Sequence, residues 1–190
     1  MGAFEYLLIL AAVILGLALS DLALSLHRLL SAGRRVRWDW LAPLAAIVAF
    51  LKIVTQWWAW FSGAGIAKTL TFEMYVGELA GALLLFLLAA AALPDEAGED
   101  KIDLAAHYAA VSRRYWLLFA AQWIVLTAVN LWAVLHVAGP HKLEVFWPAW
   151  FVLPVTLSLV FIKNRWWHTG WLVALVVVYL AQFFGQGLGA

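Results

Sequence analysis

Six apolar runs, each near the length that a helix needs to cross a bilayer, dominate this sequence. About 20 helical residues span the roughly 30 Å of hydrocarbon in a membrane. None of the runs alternates as a barrel strand does, so each must satisfy its backbone hydrogen bonds as a helix. The pattern therefore predicts an all-α bundle of six transmembrane helices in a single domain, residues 1–190. The predicted helices cover about 4–27, 39–61, 70–93, 115–137, 146–162 and 166–185.

Composition excludes several classes of protein. With 66% hydrophobic residues, 12% charged residues and a mean hydropathy of +0.92, the chain lies outside the range of soluble domains. A net charge of +1 without a basic cluster argues against nucleic acid as a partner. Cysteine is absent, the five histidines have no metal or haem spacing, and no catalytic motif occurs. We therefore expect no metal, no cofactor and no enzymatic activity.

The lysines and arginines divide unequally between the two sets of links. The links after the first, third and fifth runs hold nine of the 12: Arg28, Arg34, Arg35, Arg37, Lys101, Arg113, Arg114, Lys163 and Arg165. The other links hold only Lys68 and Lys142, and Lys52 lies inside the second run. By the positive-inside rule, the basic links face the cytoplasm and both termini lie outside.

The third link, residues 94–114, is the longest segment between predicted helices. It begins with acidic residues and continues with Leu104, Tyr108, Val111 and Tyr115 on one helical stripe. This spacing predicts one amphipathic helix that lies along the cytoplasmic interface and runs into the fourth transmembrane helix. A solvated connector is the favoured interpretation of this link, and a docking site for a partner is the alternative.

Lys52 is the costliest residue in the sequence, because it lies in the middle of an apolar run. A charge at that depth costs roughly 2.5–3.5 kcal/mol even on the gentlest scale, so a partner is expected. Glu78 lies at a matching depth in the next run, and Gln56 shares a helix face with Lys52. We predict a Lys52–Glu78 ion pair, direct or bridged by water or by Gln56. It is either a structural lock between helices or a proton or cation site.

Further polar side chains occur at comparable depths in the later runs, namely Asn130, Tyr179 and Gln182. Together with Lys52, Gln56 and Glu78, they form a candidate intramembrane transport site that lines a cavity open to the outside. The alternative for each residue is an ordinary interhelical hydrogen bond, as in any membrane bundle.

Two secondary groups of candidates follow from the same reasoning. Asp21, Ser25 and Arg28 fall on one face of the first helix, so Asp21 is expected to pair with Arg28 or Arg37, or to form the inner end of a proton path. Most of the 13 tryptophans lie near helix ends, as an interfacial belt requires. The three deeper ones are candidates for an aromatic pocket that holds a flat or cationic ligand: Trp123, Trp132 and Trp171.

Three segments carry a resemblance to known sequences. They are Leu19-Ser20-Asp21-Leu22 through His27-Arg28-Leu29, then Arg35-Val36-Arg37-Trp38, and Leu93-Pro94-Asp95-Glu96. Over about the first two-thirds of the chain they resemble a group of small bacterial six-helix membrane proteins without an assigned activity. The resemblance implies a bacterial inner membrane, in which termini placed outside by the positive-inside rule would face the periplasm, and it implies no substrate or site.

These observations favour a small transporter or channel for an ion or small solute, with Lys52 and Glu78 as the proton or cation site. The alternative is a non-catalytic membrane module that binds a lipid, a hydrophobic ligand or a partner membrane protein. A membrane enzyme ranks third, because the sequence has no nucleophile or metal motif. The bilayer is the one partner that composition requires, and the sequence leaves oligomerisation open.

Overall fold

The computed structural model describes residues 3–62, 71–95, 101–138 and 147–183. These residues form six α-helices, two short strands and little else. The helices are α1 (Ala3–Ala32), α2 (Leu41–Ser62), α3 (Phe72–Ala90), α4 (Leu104–Ala133), α5 (Trp147–Phe161) and α6 (Arg165–Phe183). A 3₁₀ turn, Gly33–Arg35, follows α1, and a π-helical turn, Val134–Ala138, extends α4. The strands are β1 (Val36–Arg37) and β2 (Ile102–Asp103).

Four of these helices are long and apolar enough to cross a membrane. The candidate spans are Glu5–Arg35, Leu41–Phe61, Phe72–Ala90 and Leu104–His136, and Ala149–Phe161 is a shorter apolar helix. The prediction of a mainly helical chain with several helices able to span a membrane is therefore confirmed. The predicted starts of the third and fifth helices, at 70 and 146, and the predicted end of the sixth, at 185, lie outside the described residues.

The fourth helix differs from its prediction. It begins at Leu104 rather than near 115 and runs for 30 residues without a break, so a separate interfacial helix is not formed. Asp103 caps the start, because its carboxylate accepts hydrogen bonds from the backbone N–H groups of Ala105 and Ala106. The predicted stripe is buried at Leu104, Tyr108 and Tyr115. The stripe packs inside the protein because no glycine or proline in α4 kinks the helix and lets its first turns lie along the membrane interface.

Helix α2 lies at the centre of the bundle, in contact with α1, α3, α4 and α6. Its apolar span is 56% buried, against 22–28% for the spans of α1, α3 and α4. Small side chains at the start of α2 allow this close packing, since Ala42, Ala45 and Ala49 are fully buried. The position of α2 places its middle residue, Lys52, deep inside the protein.

Helices α1 and α3 pack against each other along a regular seam. The buried residues of α1 follow a spacing of three and four: Leu7, Ala11, Leu15, Ala18, Leu22, Ser25, Leu29 and Ala32. This repeat is typical of helices that cross at a shallow angle. The opposite face of α1 exposes large apolar side chains, as a lipid-facing helix would. Gly33 ends α1 with a positive φ of 52°, a conformation that glycine adopts without strain.

The three basic links meet at one end of the molecule, which we call the basic end. Strands β1 and β2 pair there in parallel, with Val36 beside Ile102. Arg37 forms an ion pair with Asp103, with 3.3 Å between Nη1 and Oδ2. Asp39, at the start of α2, forms a second ion pair with Arg165, at the start of α6. The links predicted to share one side of the membrane thus contact each other directly.

Candidate functional site

A cavity of about 330 Å³ lies between α2, α3, α4, α5 and α6. It is lined by all six residues of the predicted polar site: Lys52, Gln56, Glu78, Asn130, Tyr179 and Gln182. The other lining residues are mainly aromatic or apolar: Thr55, Ala59, Trp60, Trp123, Leu126, Val152, Leu175 and Val178. The structure therefore brings together residues that lie up to 130 positions apart in the sequence.

The cavity lies in the half of the bundle away from the basic end, which we call the far end. It uses residues 52–60 of α2, 123–130 of α4 and 175–182 of α6, all in the second half of helices that start at the basic end. Glu78 belongs to the first half of α3, which runs the other way. Asn130 and Gln182 are exposed near the ends of their helices and form the mouth of the cavity.

Lys52 is only 4% exposed, yet its ammonium group has no ion pair and donates no hydrogen bond among the described residues. Its Nζ lies 4.4 Å from the ring centroid of Trp123 and 5.9 Å from that of Tyr179. Both distances are within the range of cation–π attraction, and tryptophan provides the strongest aromatic face. The positive charge is therefore held by aromatic rings instead of a counter-ion.

Glu78 has a different partner from the one expected. Its Oε2 accepts a hydrogen bond of 2.8 Å from the indole Nε1 of Trp60. Trp60 is two helical turns beyond Lys52 on the same face of α2, closer to the far end. Its indole reaches the carboxylate, while the Lys52 chain end lies over Trp123. The prediction of a direct Lys52–Glu78 ion pair is wrong, although both side chains line the same cavity.

The amides in and beside the cavity are only partly satisfied. Gln56 does not bridge Lys52 and Glu78, because its Oε1 accepts a hydrogen bond of 3.4 Å from Nε2 of Gln122. Gln122 is 1% exposed, and its own Oε1 has no partner within the part of the chain that the structure describes. The sequence analysis missed Gln122, although an amide inside an apolar run is the same signal that identified Gln56. Asn130 donates to the carbonyl of Leu126 at 2.8 Å.

Two polar atoms of the cavity-lining side chains are buried and lack a hydrogen-bond partner among residues 3–62, 71–95, 101–138 and 147–183. They are Nε1 of Trp123 and the hydroxyl of Tyr179, which lie beside each other without a hydrogen bond of normal geometry. Buried donors are almost always paired in proteins, and leaving one unpaired costs about 1–3 kcal/mol. The cavity thus combines an unpaired ammonium group with unpaired neutral donors, which is the usual property of a site that is completed by a ligand.

The predicted aromatic pocket of three tryptophans is not formed, because only Trp123 lines the cavity. Trp132 is 37% exposed and stacks on His136, with 3.8 Å between the ring centroids. Nine residues separate Trp132 from Trp123, which places the two rings on opposite faces of α4. Trp171 lies nearer the basic end of α6, with its ring centroid 6.0 Å from that of Phe151.

The secondary pair, Asp21 and Arg28, also differs from its prediction. Arg28 donates to the backbone carbonyl of Asp95 at 2.7 Å, and Arg37 pairs with Asp103. Asp21 forms an ion pair with neither arginine in the described segments. Ser25 and Arg28 donate hydrogen bonds to Asp95 and so join α1 to the link that follows α3. This part of α1 therefore lies at the basic end and not in the cavity.

A buried cluster of aromatic and polar side chains lies in the basic half of the bundle. Nδ1 of His168 lies 2.8 Å from the hydroxyl of Tyr108 and 3.1 Å from Nε1 of Trp116. Nε2 of His168 lies 2.8 Å from the carbonyl of Ile162. Because a carbonyl only accepts, Nε2 carries the ring hydrogen, and Nδ1 accepts from both neighbours. The sequence did not predict these contacts, since 60 positions separate His168 from Tyr108.

The cavity holds few of the groups that bind metals. Across the described segments, no three His, Asp or Glu side chains come together as a metal-binding cluster. No protein-family model, curated protein or solved structure matches the chain. The resemblance to small bacterial six-helix membrane proteins therefore stays a prediction.

Proposed function

We propose that the chain is a small, non-enzymatic transporter or channel for an ion or small solute. The cavity between α2, α3, α4, α5 and α6 is the solute site, and Lys52 and Glu78 are the groups that exchange a proton or cation. The proposal includes six membrane spans, both termini outside and a location in a bacterial inner membrane.

The observation that carries this proposal is the buried, unpaired ammonium group of Lys52 on the surface of a cavity. A charge inside a membrane bundle is costly, and such residues usually mark a path for substrate, ions or protons. A purely structural lysine would be expected to contact a carboxylate or a carbonyl. Lys52 instead faces aromatic rings beside open volume, where a transported species can reach it.

The position of the cavity supports transport in a second way. In the basic half, buried aromatic side chains leave a cavity of only about 100 Å³, whereas the far half holds the larger cavity and its exposed mouth residues, Asn130 and Gln182. A site that is open on one side and closed on the other corresponds to one state of an alternating-access cycle. With the basic links in the cytoplasm, this state faces outward.

Proton flux into proteoliposomes tests the proposal. Vesicles that contain a pH-sensitive dye and the purified protein are given a potassium diffusion potential with valinomycin. We expect proton uptake above that of protein-free vesicles, and its loss in Lys52→Met and in Glu78→Gln. Lys163→Met and Glu73→Gln are the matched controls, since both residues are exposed and neither lines the cavity. Equal flux in all four variants would contradict the proposed role of the cavity.

Single cysteines test the proposed orientation, because the natural chain has none. An impermeant thiol reagent should label cysteine at positions 64 and 140 in intact cells, and at positions 33 and 98 only after the membrane is opened. The reason is the nine-to-two division of lysine and arginine between the links. Labelling at position 33 in intact cells would reverse the orientation.

A membrane module that binds a lipid or another hydrophobic ligand is the second candidate function. One observation favours it: a second cavity, of about 510 Å³, lies on the surface of α1 and α2. Its lining is almost entirely apolar and includes Leu22, Leu26, Trp38, Ile47 and Phe50. Native mass spectrometry of the purified protein would detect a lipid retained there, and Phe50→Trp, which fills the groove, should reduce its occupancy.

A further inference from the structure

Some of the polar groups that line the solute cavity have hydrogen-bond or charge partners, and others have none. Its carboxylate, Glu78, already accepts a hydrogen bond from Trp60, and the side-chain oxygen of Gln56 accepts one from Gln122. In contrast, Lys52 has no partner for its charge in the described part of the chain, and Trp123 has none for its indole N–H. The surplus in the cavity is therefore positive charge and hydrogen-bond donors.

The unmatched groups form one patch. The ammonium group of Lys52 lies 4.4 Å from the centroid of the Trp123 ring and 5.9 Å from that of Tyr179. Lys52 and Tyr179 are only 4% and 3% exposed, so little of either side chain contacts water, although both line the cavity. The Tyr179 hydroxyl is also without a partner among the described residues. A single anionic group placed here would supply the counter-ion that the ammonium group lacks. It would also accept hydrogen bonds from the neighbouring donors.

The rest of the cavity limits the shape and polarity of that ligand. The surface next to the patch is formed by Leu126, Val152, Leu175 and Val178. A volume of about 330 Å³ is at the low end of the range for small-molecule sites. A small ligand with an apolar body therefore fits better than a sugar or a large polar solute, whose hydroxyl groups would lose their hydrogen bonds with water.

We propose that the cavity binds a small organic carboxylate with an apolar body. The carboxylate accepts from Lys52, from Nε1 of Trp123 and from the Tyr179 hydroxyl, and the apolar body packs against Leu126, Val152 and Leu175. This inference depends on the proposed function only because the same cavity is the solute site. It adds the charge and chemical class of the solute.

Binding of radiolabelled benzoate to the purified full-length protein tests this assignment directly. The measurement uses an uncharged maltoside detergent and a chloride-free sulfate buffer. Unlabelled benzoate should displace the label, whereas benzamide and benzylammonium, which share the ring but not the negative charge, should not. Displacement by either of these at the concentration that benzoate requires would overturn the assignment. Chloride that competes as strongly as benzoate would overturn the requirement for an organic carboxylate.

Variants of the patch locate the binding. Lys52→Met keeps most of the length of the side chain but removes the charge, and it should weaken benzoate binding by at least about tenfold, because a charge-assisted contact is lost. Lys163→Met, at the basic end, should bind as the natural protein does. Glu78→Gln should bind benzoate as tightly or more tightly, since it removes a negative charge from the same cavity and keeps an acceptor for Trp60. Unchanged binding by Lys52→Met would overturn the proposal.

Tyr179→Phe and Trp123→Phe provide a second measurement if Lys52→Met fails to fold. Each removes one donor from the patch, and each should weaken benzoate binding by several-fold while binding of benzamide stays undetectable. Benzoate binding that neither variant changes would overturn the assignment.

The two proposals fail in different ways. Proton flux without benzoate binding would leave the transport function standing and overturn the carboxylate assignment. Saturable benzoate binding that depends on Lys52, in a protein without any flux of protons or benzoate, would support the site and overturn transport.

Discussion

The two halves of α4 differ in how their large aromatic side chains are satisfied. In the basic half, three aromatic side chains are buried and hydrogen-bonded: Tyr108 to His168, Tyr115 to the carbonyl of Ala45, and Trp116 to Tyr108. In the far half, Trp123 lines a cavity and its indole N–H has no partner among the described residues. One continuous helix therefore contributes both to a packed core and to an incomplete site.

This difference indicates which half of the bundle is the better candidate for a functional site. Buried polar networks that are fully paired give a region rigidity and a unique packing. A region whose buried donors remain unpaired is less stable than it could be, and natural proteins usually accept such a loss where a ligand binds. Unpaired buried atoms also occur in the basic half, at Nε2 of His107 on α4 and Nε1 of Trp171 on α6, but neither side chain lines the solute cavity. We therefore propose that the ligand binds in the far half, where the unpaired groups border open volume.

The largest expected effect compares two tryptophans of α4. Trp116→Ala should lower the free energy of unfolding by about 3–5 kcal/mol, because it removes a fully buried ring from a packed core. Trp123→Ala should cost less, since its ring already borders open volume. Thermal unfolding in detergent measures both. Equal losses would show that the far half is packed as tightly as the basic half.

A matched pair of Tyr→Phe variants sharpens the comparison. Tyr108→Phe removes a hydroxyl that bonds His168, and it should destabilise the protein by about 0.5–1.5 kcal/mol. Tyr179→Phe removes an unpartnered hydroxyl, so without a bound ligand it should leave the melting temperature unchanged or raise it. A larger loss for Tyr179→Phe than for Tyr108→Phe would contradict the proposed division.

Lys52→Met tests whether the charge in the cavity is kept at the expense of stability. In detergent and without ligand, we expect the variant to be more stable by roughly 1 kcal/mol, because it removes a buried charge that lacks a counter-ion. Since Glu78 bonds Trp60 and not Lys52, the effects of Lys52→Met and Glu78→Gln should be nearly additive. A double variant that recovers stability lost in each single one would instead indicate a direct ion pair.

The smallest effect is expected at the surface of the basic end. Backbone N–H groups of Ala106 and Ala105 and the Arg37 guanidinium lower the pKa of the Asp103 carboxyl. A lowered pKa means that the charged form contributes stability above about pH 4, and that this contribution is lost as the pH falls further. Asp103→Asn keeps the helix cap and removes the charge. Its melting temperature should differ little from that of the natural protein, and less at high salt than at low salt.

The residues of the candidate site could be predicted from the sequence because depth and helix face can be counted along each run. Counting in this way grouped six residues, and all of them line the cavity: Lys52, Gln56, Glu78, Asn130, Tyr179 and Gln182. The partners of these residues could not be predicted. Glu78 accepts a hydrogen bond from Trp60, a residue whose place in the sequence is equally typical of an interfacial tryptophan belt. Lys52 contacts Trp123 instead of a carboxylate.

The sequence by itself determined that the chain forms apolar helices, where most of them lie, and which links share an end of the molecule. These properties follow from composition and from the distribution of charge along single segments. Only the tertiary structure decided that α4 continues through the predicted interfacial stripe, that His168 joins Tyr108 and Trp116, and that the Lys52 charge has no counter-ion. The reason is that side-chain contacts between helices depend on how each helix is rotated and which helices are neighbours, and packing over the whole bundle sets both.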